Sequence, residues 1–202
     1  MKIILLTLFI IITIAAHAEN EFQPLYQADL PRKATKISYD QSGKIIELVT
    51  SEWNDRVKTD KGLIYYSYNQ GFNYKRKQGF LKVYNSEGKL IHEKWDKSID
   101  GGVSAEEVLT AFDLVKNNEF IKKRFASTDE SIMLYGGFNF RDEKECKPGN
   151  RCVRVFATTL NRTVLSHSIV RLTDSKVVYP NMGKERSDRK IPKLAKKTKI
   201  RG

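Results

Sequence analysis

The chain has 202 residues, 40% of them apolar and 30% charged, with a formal net charge of +12. That length and apolar content suit one large or two small globular domains with a real core. Residues 181–202 hold nine Lys and Arg against Glu185 and Asp188, a net +7, and Lys2 lies in a leader, so the body keeps only about +4. A strongly cationic folded surface is therefore excluded.

Met1-Lys2 is a short positive start, residues 3–15 are almost wholly apolar, and Ala16-His17-Ala18 has the A-x-A cleavage form. This predicts a signal peptide over residues 1–18, with the mature chain beginning at Glu19 in the periplasm or outside the cell. At about 14 residues the apolar run is shorter than the roughly 20 that cross a bilayer, so the mature chain is expected to lack a transmembrane helix.

Residues 19–32 carry two prolines and little periodicity, and they read as an extended lead-in. From 33 to 100 the pattern is that of β-hairpins. Asp40-Gln-Ser-Gly43 and Asn85-Ser-Glu-Gly88 each sit between alternating runs, where the final glycine supplies positive φ without steric cost. The two hairpins share the frame Tyr-x-x-x-Gly-Lys-x-Ile, at Tyr39 and again at Tyr84, although two copies fall short of a repeat protein.

Between them, Gly62-Leu-Ile-Tyr-Tyr-Ser-Tyr68 and Tyr74-Lys-Arg-Lys77 combine aromatic rings with cations. Tyr66, Tyr68, Tyr74, Lys75 and Arg76 form the candidate ligand-binding set, because rings stack on sugars or bases while cations hold phosphate. Alternation in a tyrosine-rich strand explains the same residues structurally, with Leu63, Tyr65 and Ser67 on one face and Ile64, Tyr66 and Tyr68 on the other.

Asp100-Gly-Gly102 marks the passage to a second unit, residues 101–180. Ser104-Ala-Glu-Glu107 has the spacing of a capping box. Val108, Leu109, Phe112 and Val115 follow as one apolar stripe of a helix that Asn117-Asn118 interrupts. A further turn or two is expected to return Phe120, Ile121 and Phe125 to the same layer. The period then changes to two: Ile132, Leu134, Phe138 and Phe140 are expected on one face, with a bulge at Gly136-Gly137. Runs at 152–159, 163–171 and 176–179 complete four strands. The fold class is therefore α+β, a β-rich hairpin or meander part followed by a helix packed on a four-stranded antiparallel sheet. This order of elements resembles the helix-on-meander modules of cystatin-like and PepSY-like proteins in architecture alone.

Cys146 and Cys152, the only cysteines, flank Lys-Pro-Gly-Asn-Arg in a chain bound for an oxidising space, which predicts a disulfide. The mature chain holds two histidines, His92 and His167, and His167 falls in a strand pattern. No G-x-S-x-G, H-E-x-x-H or phosphate-cradling glycine loop is present, so no catalytic residue, metal ligand or cofactor is assigned. Asn161-Arg-Thr163 is a glycosylation sequon at a predicted hairpin tip.

After Pro180 the alternation ends. Residues 181–202 read as a disordered basic tail in which Lys190, Lys193, Lys196, Lys197, Lys199 and Arg201 supply electrostatic attraction. The combined expectation is a non-enzymatic binding or accessory module of the cell envelope, its partner another envelope protein, an anionic polymer or a lipid surface. Two alternatives are a small secreted hydrolase or inhibitor-like domain with a site between the halves, and carbohydrate or nucleic-acid binding through residues 65–80.

Overall fold

A computed structural model describes residues 30–60 and 62–182. The signal peptide, the lead-in before Leu30 and the tail cations from Lys190 to Arg201 lie outside the described residues.

Five strands, β1 (Lys36–Tyr39), β2 (Ile45–Thr59), β3 (Gly62–Asn73), β4 (Gln78–Tyr84) and β5 (Leu90–Asp96), form an antiparallel sheet in chain order. Helices α1 (Ala105–Lys116) and α2 (Glu119–Phe125) then lead into β6 (Ile132–Asn139), β7 (Cys152–Thr159), β8 (Val164–Arg171) and β9 (Lys176–Tyr179), a second antiparallel sheet in chain order. The protein is α+β, with α1 packed on the four-stranded sheet.

The two predicted hairpin turns are built alike. Asp40 Oδ1 accepts from the backbone N–H groups of Ser42 and Lys44, and Asn85 Oδ1 from those of Glu87 and Lys89. Gly43 and Gly88 close them at φ +82° and +75°, where a side chain is strained. These turns place the twin hairpins at opposite edges of the first sheet. β2 and β3 outrun their neighbours, because β1 pairs only as far as Val49 and β4 pairs only from Ser67. Residues 55–59 and 62–66 thus form a two-stranded ribbon beyond the sheet.

Helix α1 begins as its sequence dictates. Ser104 Oγ accepts from the N–H of Glu107, and Glu107 Oε2 accepts from the N–H of Ser104 at 2.8 Å. The buried stripe is Val108, Ala111, Phe112 and Val115, set against Leu134, Val153, Val155 and Val170. Each of the Val, Leu and Phe side chains contributes roughly 1.5–3 kcal/mol by leaving water, and Ala111 less. Leu109 departs from expectation at 43% exposure: it is one residue, about 100° of helix turn, from Val108, so it clears the sheet while Ala111 takes the contact. Phe120 likewise stays exposed, and α2 buries only Ile121 and Phe125.

The bulge in β6 falls at the predicted glycines, with Gly137 at φ +109° and the register shifting between Gly136 and Phe138. That extra residue breaks the alternation. Ile132 and Leu134 face the helix, whereas Phe138 is 64% exposed and Phe140 is buried in a second cluster with Cys146, Cys152, Ile169 and Tyr179. Met182 is buried in that cluster too, so the body extends two residues into the stretch assigned to the tail.

Cys146 and Cys152 are disulfide-bonded, with Cα atoms 5.8 Å apart. Asp142 organises the approach: its Oδ1 accepts from the N–H groups of Lys144, Glu145 and Cys146, and its Oδ2 from the Tyr179 hydroxyl at 2.7 Å. Replacing both cysteines by serine should lower stability by about 2 to 2.5 kcal/mol, the loop-closure value for so short a ring. Urea unfolding of the two proteins checks this, and equal midpoints would show that the bridge does not stabilise the body.

Candidate functional site: a polar sheet face beside a buried arginine centre

Strand alternation gives the first sheet two chemically different faces. Glu47, Glu52, Asn54, Ser67, Asn69, Lys82 and Tyr84 share one face by register, and Leu48, Trp53, Tyr68, Phe72 and Val83 share the other. On the polar face Lys82 Nζ lies 3.0 Å from Glu47 and 3.8 Å from Glu93, and 4.5 Å above the Phe80 ring. Arg76 stacks on Trp95 at 4.2 Å. These cations roof Phe80, which is fully buried against Gly71, where a Cβ would meet the Leu48 carbonyl at 2.0 Å.

Further along this face a pocket of about 460 Å³ opens, with Lys36, Glu52, Asn54, Ser67, Asn69 and Tyr84 in its lining. Lys36 pairs with Glu52 at 2.9 Å and Ser67 Oγ donates to Asn54 Oδ1 at 2.8 Å. Asn69 is different. It is 7% exposed and its side chain makes no hydrogen bond among the described residues, while its amide nitrogen and oxygen are not sealed from solvent. A cross-strand stack, Trp53 on Tyr68, follows the other face by register but also enters the pocket's lining, with ring centres 5.1 Å apart and planes 4° from parallel.

Where the first sheet meets the second unit, Arg151 is buried at 2% exposure and every one of its donors is used. Nε and Nη2 bind the two Glu107 oxygens at 2.8 and 2.9 Å, Nη1 binds Asp100 at 3.0 Å and the Gly101 carbonyl at 2.9 Å, and Nη2 binds the Gly102 carbonyl at 2.7 Å. The Tyr74 hydroxyl donates to Glu107 Oε1 at 2.5 Å, and the Phe72 ring centre lies 5.4 Å from the guanidinium. The passage at Asp100-Gly-Gly102 is accordingly pinned.

Burial pushes the Glu107 carboxyl up, but the Arg151 charge and the hydrogen bonds from Arg151, Tyr74 and the Ser104 N–H outweigh it, so its pKa is lowered. Burial, then the adjacent Glu107 charge, raise Tyr74 well above the ordinary phenol range. Glu107 is a charge held for structure, already ionised and without a proton to give.

A second cleft, of about 250 Å³, lies between the first hairpin and α1, with Tyr39, Lys44, Tyr74, Glu106, Glu107 and Ser175 in its lining. Neither histidine contributes to it. His92 is on exposed β5, and His167 stacks on Phe156 at 4.3 Å, with Tyr135 on the other side of that ring at 5.1 Å.

The five sequence-nominated residues do not converge. Tyr66 and Tyr68 lie on the aromatic face, Tyr74 is engaged with Glu107, Lys75 is exposed in the β3–β4 turn, and Arg76 covers Trp95. Sequence reasoning missed Asn69, Glu52, Asn54 and Arg151. The signal for the first three was the period-two alternation itself, once continued through residues 51–59. Among the described residues no group of His, Cys, Asp and Glu is arranged to hold a metal ion, and no helix is long and apolar enough to cross a membrane. The chain matches no protein-family model and no curated protein.

Because the Glu107 pKa is depressed, its stabilisation is complete above the unfolded value of about 4.3 and is lost as pH falls through the folded value. Stability measured by urea unfolding between pH 6 and 2 should fall less steeply in Glu107→Gln than in the parent, and identical slopes would contradict the assignment. Arg151→Met should cost about 3–5 kcal/mol, since it strands a buried carboxylate. A loss below about 1 kcal/mol, the range of exposed pairs, would show that the pair is not insulated from water.

Proposed function

We propose that the protein is an exported, non-enzymatic binding or accessory module of the cell envelope, with the polar face of the first sheet as its recognition surface and the basic tail adding electrostatic attraction. The observation that carries this is the pocket lined from four adjacent strands, β1 to β4, with a buried amide at its wall. Export is supported by the leader pattern and by the disulfide, which belongs to oxidising compartments. The cleft beside α1 is what a hydrolytic or inhibitory role would use. Its Glu107 is fully engaged by Arg151 and its wall includes no histidine, so the observations favour binding.

Charge in the tail acts at a distance and the sheet acts on contact, which makes the two separable. The body includes buried Met182, so the truncation that keeps every described residue removes residues 183–202. At about 1 kcal/mol per Lys or Arg near an anionic surface, that truncation should weaken retention of the mature chain on phosphatidylglycerol-containing vesicles and on native envelope fragments at least about tenfold at low salt. Sedimentation with each material reads it out. Retention unchanged by truncation removes the tail from the mechanism, and absence of retention on envelope fragments overturns the envelope role.

A further inference from the structure

We infer that the pocket over β1 to β4 is a saccharide subsite, in which Asn69 hydrogen-bonds a sugar hydroxyl from below while Asn54, Glu52 and Lys36 hold hydroxyls at the rim. This rests on the first sheet being the recognition surface, and it adds the chemical class of the ligand.

The unpartnered amide comes first. The amide's nitrogen and oxygen are not sealed from solvent, so an otherwise buried side chain keeps a polar edge open to the pocket and free for a ligand. Asn69 is 7% exposed, lines the pocket, and sits by register between Glu52 on β2 and Lys82 on β4. It is the one wall group of the pocket that is both buried and idle among the described residues. Ser67 is committed to Asn54, and Lys36 to Glu52.

The mixture of groups then selects the ligand. Carboxylate, ammonium, two amides and a hydroxyl present donors and acceptors side by side, and a sugar hydroxyl, which donates and accepts at once, complements such a wall. Lys36 and Glu52 cancel in charge, and the next row places Lys82 between Glu47 and Glu93. A phosphate would therefore meet carboxylates, which disfavours nucleic acid and phosphorylated ligands. The Tyr84 ring offers a flat apolar surface for the C–H face of a pyranose, and a volume of about 460 Å³ lies within the range of small-ligand sites. Trp53 and Tyr68 also line this pocket, so it is the carboxylates, not a lack of rings, that disfavour a nucleic acid.

The test titrates the mature protein with maltotriose and with chitotriose, with a ten-nucleotide thymidine strand and inorganic phosphate as rival probes, and follows backbone amide resonances together with calorimetric heat. At least one neutral trisaccharide should bind with a Kd at or below about 1 mM and shift the amides of Asn54, Ser67, Asn69 and Tyr84. Asn69→Ala should weaken that binding at least about tenfold. Asn54→Ala, at an exposed position that leaves the strand pairing intact, should weaken it while the melting temperature stays unchanged. The inference is overturned if neither trisaccharide moves those four amides, if both variants bind as the parent does, or if the oligonucleotide or phosphate occupies the site instead. Envelope retention that survives Asn69→Ala and excess saccharide would overturn the saccharide site while leaving the broader envelope role in place.

Discussion

A guanidinium taken out of water has to be met on every side, and that requirement organises this protein. Arg151 sits between the disulfide cysteine Cys152 and the turn at Pro148-Gly149, so the ring that holds it is covalently closed. Its partners come from the first turn of α1, from the link between the sheets and, through Tyr74 and Phe72, from the end of β3. Gly149 lets the loop approach closely: a Cβ there would come within 2.9 Å of the Lys77 carbonyl in the β3–β4 turn. If one partner is missing, a buried charge is left exposed to a low dielectric, a penalty of several kcal/mol. The geometry of both units is thereby tied to one side chain.

With its charge satisfied internally, this centre has no donor left to offer a ligand, whereas the polar face of the sheet does. The five-stranded meander has one face turned toward the arginine through Phe72 and the other roofed by Arg76, Lys82 and Trp95. Fixing one face holds the other in register, because a one-residue slip would exchange the two. The pocket around Asn69 gains its preorganisation in this way, from contacts it does not itself make. The ribbon formed by residues 55–59 and 62–66 lacks such support, and a lone two-stranded hairpin is marginal in water. The pocket thus sits where the supported sheet gives way to the ribbon, with Glu52 and Asn54 beyond the last β1 partner, Val49.

Local physics was legible in the sequence and long-range physics was not. The capping box at Ser104 and Glu107, the bulge at Gly136-Gly137, the twin turns and the disulfide each depend on residues a few positions apart. They formed where their spacing placed them. Arg151 finds Glu107 44 residues away, and nothing beside it distinguishes a buried arginine from a solvated one in a turn. Glu107 was visible as a cap and invisible as a counter-ion. Phe138 shows the opposite limit, since a bulge that was itself foreseen reverses the faces beyond it, and its ring turns outward. The five aromatic and basic residues nominated from 65–80 were chosen by type, whereas the pocket is made by the pleat, which gathers Asn54, Ser67 and Asn69 from two strands onto one side.

Coupling of the two units through the arginine is tested most directly by unfolding followed at two places at once. Both tryptophans, Trp53 and Trp95, belong to the first sheet, while α1 and α2 belong to the second unit. Tryptophan fluorescence and helical ellipticity should therefore trace a single urea transition with one midpoint. Two separated transitions, with the fluorescence changing while the helix persists, would contradict a structure held together at Arg151.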